Sequence, residues 1–251
     1  MDVIIEALVD QFDELRRLTS GLDDGGWAVA SRCDGWTLSD VMLHLAQTNE
    51  LAIASLQDRF ESQVGEFVRG GGAAGSVDAA ADVSVSLERG APGPAILDRW
   101  LRSADDLLAE LRNIDPRTRV VWVAGELSAH TLATTRLAET WIHTGDVAFG
   151  LGITATLTPQ LRHIARLAWR TLPYAFAQAG RTMSGPVALD LDGVDNERWT
   201  FGIDDDPLTT ITGSALDLCL VAGRRVAPDA TSLHGIGPDT DDVLAVIRTF
   251  A

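Results

Sequence analysis

The 251-residue sequence contains no lysine, and all 20 of its basic residues are arginine. This excludes Schiff-base chemistry, a pyridoxal-phosphate anchor and a Walker-type phosphate loop, each of which needs a lysine amine. Cysteine is nearly as scarce: Cys33 and Cys219 are far apart, with no Cys-x-x-Cys pair. A disulfide framework is therefore excluded, and a reducing cytosol is expected. Apolar runs are short and broken by charge, so none can span a bilayer. Met1 to Glu6 lacks the basic and apolar regions of a secretory signal, which again points to a cytoplasmic protein. Acidic residues outnumber basic ones 36 to 20, a net charge of −16 that opposes nucleic acid and anionic membranes as partners. The motifs His-Glu-x-x-His, Gly-x-Ser-x-Gly and His-x-x-x-His do not occur.

With 46% hydrophobic and 22% charged residues, the composition is that of an ordinary globular protein, large enough to fold without disulfides or a structural metal. Helical periodicity dominates the first two thirds. Ile4, Leu8, Phe12, Leu15 and Leu18 form one apolar stripe. Thr37-Leu38-Ser39-Asp40 resembles a capping box opening a helix that runs to about Phe60. Residues 69–93 are rich in Gly, Ala and Ser and are expected to form a long loop with at most a short element inside. Pro94 starts a third helix carrying Leu97, Trp100, Leu101, Leu107, Leu108 and Leu111. A fourth follows Ser128 and ends near Gly150. Four such helices predict a bundle. A further helix, Thr158 to Gly180, is kinked or stopped by Pro173 and leads outward. From Val187 the period changes to two, with strands over Val187–Asp192, Arg198–Ile203 and Leu208–Thr212, and helices over Gly213–Gly223 and Asp239–Phe250. The fold class is thus α+β: a helical domain over 1–182 and a smaller α+β domain over 183–251, divided near residues 180–186.

Two helical segments carry the chemistry. In Arg136-Leu137-Ala138-Glu139-Thr140-Trp141-Ile142-His143-Thr144-Gly145-Asp146, Glu139 and His143 are one turn apart on one helix face, suited to two positions around a metal. His44 sits mid-helix between Leu43 and Leu45, where an isolated histidine is as readily a hydrogen-bonded core residue. Inward side chains from facing bundle helices can converge, however, and carboxylate-plus-histidine sites are built that way. Gly70 to Gly75 formally matches Gly-x-Gly-x-x-Gly but lacks the preceding core strand of a dinucleotide site, so a loop is the better reading. His130, His163 and His234 have no partner at ligand spacing. Trp27, Trp36 and Trp141 read as core and loop-anchoring residues.

The segment from Cys33 to Leu45, Cys-Asp-Gly-Trp-Thr-Leu-Ser-Asp-Val-Met-Leu-His-Leu, resembles the signature of the DinB-like four-helix metalloproteins. The pattern Arg-x-x-Glu-x-Trp-x-His-x-x-Asp at Arg136–Asp146 narrows the resemblance to the mycothiol-dependent maleylpyruvate isomerase group. The resemblance implies an N-terminal DinB-like bundle in which His44, Glu139 and His143 ligate one divalent metal, zinc by preference. It also implies a C-terminal domain similar to a sterol-carrier fold, extending over Ile211-Thr212-Gly213-Ser214-Ala215, and a low-molecular-weight thiol, mycothiol, as cofactor. Two neutral imidazoles and one carboxylate leave a divalent ion an open fourth position, where a thiol would lose its proton. Addition of the thiolate to an activated cis double bond would permit rotation and expulsion as the trans isomer; in an S-transferase the adduct is released. Group members hold a substrate carboxylate with an arginine of the second domain, for which Arg224 and Arg225 are the candidates. Arg136 could orient Glu139, and Asp146 could fix the tautomer of His143. Cys33 and Cys219 are not nucleophiles in this scheme. Two other readings stay open: a metal-dependent hydrolase of a small amide or ester, with Asp40 or Glu50 as base if helix phase allows, and a non-catalytic, metal-stabilised binding module.

Overall fold

The structure, a computed structural model, describes residues 1–64, 77–123 and 125–249. The Gly70–Gly75 motif lies outside the described residues. Two compact units divide between Ala155 and Thr156, upstream of the boundary expected near residues 180–186.

The first unit is built on four helices: α1 (Asp2–Thr19), α3 (Leu38–Leu56), α5 (Gly93–Asn113) and α6 (Ala129–Gly150). Each packs on two others, α1 on α5 and α6, α3 on α5 and α6, which closes the bundle. The short α2 (Asp24–Trp27) and α4 (Val77–Glu88) flank α3. On α1 the stripe predicted by spacing is the buried one, with Ile4, Leu8, Phe12 and Leu15 inside. Helix α3 begins where the sequence signals: Thr37 accepts from the Asp40 amide while the Asp40 carboxylate accepts from the Thr37 amide. Ser128 caps α6 in the same way, its hydroxyl accepting from the Thr131 amide. The apolar segment Val120–Val123 belongs to a hairpin, β1 (Arg119–Trp122) paired antiparallel with β2 (Gly125–Ser128).

Helix α4 occupies much of the stretch expected to be loop. Among its described side chains Val85 is the one fully buried apolar residue, too little for a hydrophobic pattern to reveal. Polar clasps hold it to α3 instead: Gln47 donates to the Ser84 carbonyl at 3.0 Å and to Glu88 at 2.9 Å, and Arg89 donates to Asp40 at 2.8 Å.

The second unit contains α7 (Leu161–Arg170) and α8 (Leu172–Gln178), separated near Pro173 as the sequence suggests. Its four-stranded sheet runs in the order β4 (Arg198–Phe201), β3 (Val187–Asp192), β5 (Thr209–Ser214), β6 (His234–Ile236). Strand β3 is antiparallel to β4 and parallel to β5, so Leu189 lies opposite both Phe201 and Ile211. Helix α7 packs on β4 and on α9 (Ala215–Ala222), and α8 packs on α10 (Thr240–Val246). These contacts place α7 and α8 with the sheet and account for the earlier division. Strand β6 escapes sequence detection because three residues show no alternation. At Gly237, φ is +125°, and a Cβ would lie 2.2 Å from the Leu208 carbonyl oxygen, so only glycine fits. Among the described residues no helix is long and apolar enough to cross a membrane.

A Cβ at Gly93 would lie 2.1 Å from Cγ of buried Trp27. Alanine gains up to about 1 kcal/mol of helix propensity, whereas overpacking costs about 1–3 kcal/mol. Gly93→Ala is therefore expected to destabilise the protein, read as a lower urea midpoint; an unchanged or raised midpoint would contradict the packing.

Candidate metal centre

Helix α6 is buried on nearly every side, including every residue from Leu132 to Thr144. Its polar residues at spacings of three and four, Arg136, Glu139, His143 and Asp146, form one stripe inside the bundle. Buried polar groups must find partners there, and α3 with the turn before it supplies them. Arg136 donates to Thr48 Oγ1 at 2.9 Å and to Asn49 Oδ1 at 3.3 Å. His44 Nε2 lies 3.0 Å from Glu139 Oε1, and the His44 and His143 rings meet edge to face, centroids 4.9 Å apart. Asp146 Oδ2 is 2.9 Å from His143 Nδ1 and accepts from Cys33 Sγ at 3.2 Å.

One ligand atom from each of His44, Glu139 and His143 lies within 4.8 Å of the other two. The donors sit in the interior: His44 and His143 are each 9% exposed and Glu139 is 6% exposed. Asp146 engages Nδ1 of His143, leaving Nε2 as that ring's donor. Burial alone would raise the Glu139 carboxyl, but the adjoining Arg136 guanidinium, the His44 hydrogen bond and the charges of both imidazoles outweigh it, holding Glu139 well below the ordinary carboxylate range. Burial pushes His143 down and prevails over the opposing Asp146 hydrogen bond; the neighbouring His44 also lowers it. The group thus offers an anionic carboxylate and a neutral imidazole at neutral pH, the protonation states a cation requires. Two histidines and a glutamate match the donor chemistry of three-ligand zinc sites.

Arg136 is fully buried, bonded to Glu139 through Nη1, and its Nε has no hydrogen-bond partner among the described residues. Trp36 is the feature sequence reading placed least well. Trp27 and Trp141 are core residues, but the half-buried Trp36 ring stacks on His143 at 6.5 Å and tilts over His44 at 5.2 Å. Its Nε1 donates to Asp82 of α4 at 2.8 Å. Thr48 and Asn49 were also missed; their signal was a polar residue one turn beyond His44 on an otherwise apolar face. Asp40 is engaged by Thr37 and Arg89, and Glu50 by Arg99 at 2.7 Å. Arg224 and Arg225 lie past α9 in the second unit: Arg224 is exposed with φ of +60°, and Arg225 donates to the Gly223 carbonyl at 2.9 Å.

A helical bundle with this histidine–glutamate–histidine cluster on facing helices defines a protein of the DinB-like class. Residues 8–148, more than half of the chain, match the family described as the mycothiol maleylpyruvate isomerase N-terminal domain, and the chain belongs to that family. An uncharacterized protein of Mycobacterium tuberculosis, present in two strains, is 32% identical over 242 residues, covering 95% of this chain and 91% of the relative. Among solved structures, the mycothiol-dependent maleylpyruvate isomerase and a histidine-to-alanine variant of it share the fold, each with a TM-score of 0.61, 20% identity and 92% coverage of both chains.

Removing one partner of a buried ion pair costs about 3–5 kcal/mol. Arg136→Met in metal-free protein is expected to lower unfolding stability by about that amount, with much of the loss recovered in the Arg136→Met/Glu139→Gln double variant. Urea unfolding checks this; additive losses would mean that the two charges do not depend on each other.

Acid should destabilise the metal-free protein in two stages. Unfolded His143 binds a proton below its ordinary value of 6.5 and the folded residue resists, so stability falls as pH drops below that value. Glu139, depressed when folded, adds a second loss as pH falls below 4.5. Thermal melts in chelator across that range measure both, and a midpoint independent of pH would contradict the assignment.

Proposed function

We propose that this chain is a metal-dependent enzyme that uses a low-molecular-weight thiol, mycothiol by family, for isomerisation or S-transfer on a small electrophilic substrate. The observation that carries this reading is the convergence of His44, Glu139 and His143 inside the bundle of a mycothiol maleylpyruvate isomerase family member. In this reading those three residues hold one divalent cation, zinc by donor chemistry. Bound there, cation and thiol together supply a nucleophilic sulfur for addition to an electrophilic carbon.

The chain's own residues prepare that chemistry. Arg136 keeps Glu139 ionised and fixes one carboxylate oxygen, leaving Oε1 on the side of His44. Asp146 holds Nδ1 of His143 and thereby its ring orientation. The Trp36 ring covers part of both imidazoles and shields them from water. Arg224 and Arg225 are proposed to grip a substrate carboxylate, which suits a guanidinium fork.

The hydrolase reading needs a carboxylate free to take a proton from water. Asp40 and Glu50 are each committed to an arginine, which favours the thiol over water as the nucleophile.

Elemental analysis is expected to find close to one divalent metal per chain, lost in His44→Ala and in Glu139→Gln; retention by both variants would remove the site. Metal-loaded protein should be stabilised by mycothiol and not by glutathione in a thermal shift assay. Stabilisation by no thiol, with metal bound, would return the hydrolase or binding-module reading. In an activity assay Arg224→Ala or Arg225→Ala should raise KM more than it lowers kcat.

A further inference from the structure

We infer that Cys33 is a positioning residue for His143, acting through Asp146. The inference deepens the proposed function, since it rests on His143 being a ligand.

Cys33 lies in a turn closed by its own hydrogen bonds. The Ser31 amide donates to the Trp36 carbonyl at 2.9 Å, and the Trp36 amide to the Cys33 carbonyl at 3.0 Å. Ser31 Oγ accepts from the Cys33 amide at 3.1 Å, and Gly35 takes the left-handed conformation, φ +75°, that such a turn needs. The Arg32 amide reaches the Asp146 carbonyl at 3.4 Å, tying the turn to the end of α6. The Cys33 backbone is thus fixed by the turn's own hydrogen bonds and by the end of α6.

The thiol proton is directed at Asp146 Oδ2, 3.2 Å from Sγ, the same oxygen that lies 2.9 Å from His143 Nδ1. Asp146 is fully buried, so its carboxylate depends on protein donors rather than water. A thiol is a weak donor, yet here it fixes where Oδ2 sits and hence the direction of the bond to Nδ1. That bond keeps the proton on Nδ1 and Nε2 free for the cluster with His44 and Glu139. Sγ lies on the Nδ1 side, 3.9 Å from that atom, so it backs the imidazole rather than joining the three donors.

The full-length, metal-free protein carries the first test. Nitrogen-15 NMR of the histidine rings at neutral pH should report His143 as the Nδ1-protonated tautomer in the unaltered protein and as a mixture in Cys33→Ala. Zinc titration against a chromophoric chelator should show about tenfold weaker binding in Cys33→Ala. Cys33→Ser, which keeps a donor, should restore the tautomer and bring affinity back to within about twofold. If Cys33→Ala does not fold, Cys33→Val fills the same space without the proton and serves in its place. An unchanged tautomer and affinity in the donor-free variant would overturn the inference, as would a serine variant as defective as alanine. So would a second zinc per chain lost with Cys33, which would make Cys33, His143 and Asp146 a ligand set of their own. The tautomer measurement needs no metal: an unaltered protein that binds no zinc defeats the proposed function, while the tautomer still judges Cys33.

Discussion

The structure depends on one constraint, the burial of four polar side chains along a single face of α6. A helix enclosed by α1, α3 and the hairpin before it cannot leave Arg136, Glu139, His143 and Asp146 without partners. Each unmet bond there would cost about 1–3 kcal/mol. The partners come in spatial order along α3 and the turn preceding it: Asn49 and Thr48 for Arg136, His44 for Glu139, and Cys33 for Asp146. Docking of α3 against α6 is therefore a polar match as much as an apolar one, and a slip along either helix would break every pair at once.

The electrostatics follow from the same arrangement. A buried carboxylate would by itself tend to neutralise by taking up a proton. The guanidinium of Arg136 prevents this, fully buried and anchored on α3 by Thr48 and Asn49. In a chain whose net charge is −16, Glu139 is held here by a buried guanidinium rather than by solvent. The Trp36 ring, tethered to α4 through Asp82, completes the enclosure.

Much of this was legible in the sequence because helix spacing reports geometry directly. Arg136, Glu139, His143 and Asp146 recur at three and four residues, and that alone places them on one face. The bundle helices and the first strands of the second unit carried equally regular patterns. What could not be read were elements that carry no regular apolar pattern. Among its described side chains helix α4 buries one valine, and strand β6 is three residues long, so neither has a period to detect. The compact units divide at Ala155/Thr156 rather than at the Gly180, Gly185 and Pro186 interruptions, because α7 and α8 make their tertiary contacts with the elements of the second unit. Trp36 and Cys33 belong to the centre through a turn, and no periodic rule links a turn residue to a helix more than a hundred positions later.

Two donors of the cluster reside on α6 and one on α3, nearly a hundred residues earlier in the chain. A bundle from which α3 has detached still carries Glu139 and His143 a turn apart, yet can chelate with only two arms. Local opening and loss of multidentate grip would then be one event, so ion retention would report whether these two helices remain apposed, and would say nothing of the unit that carries the four-stranded sheet.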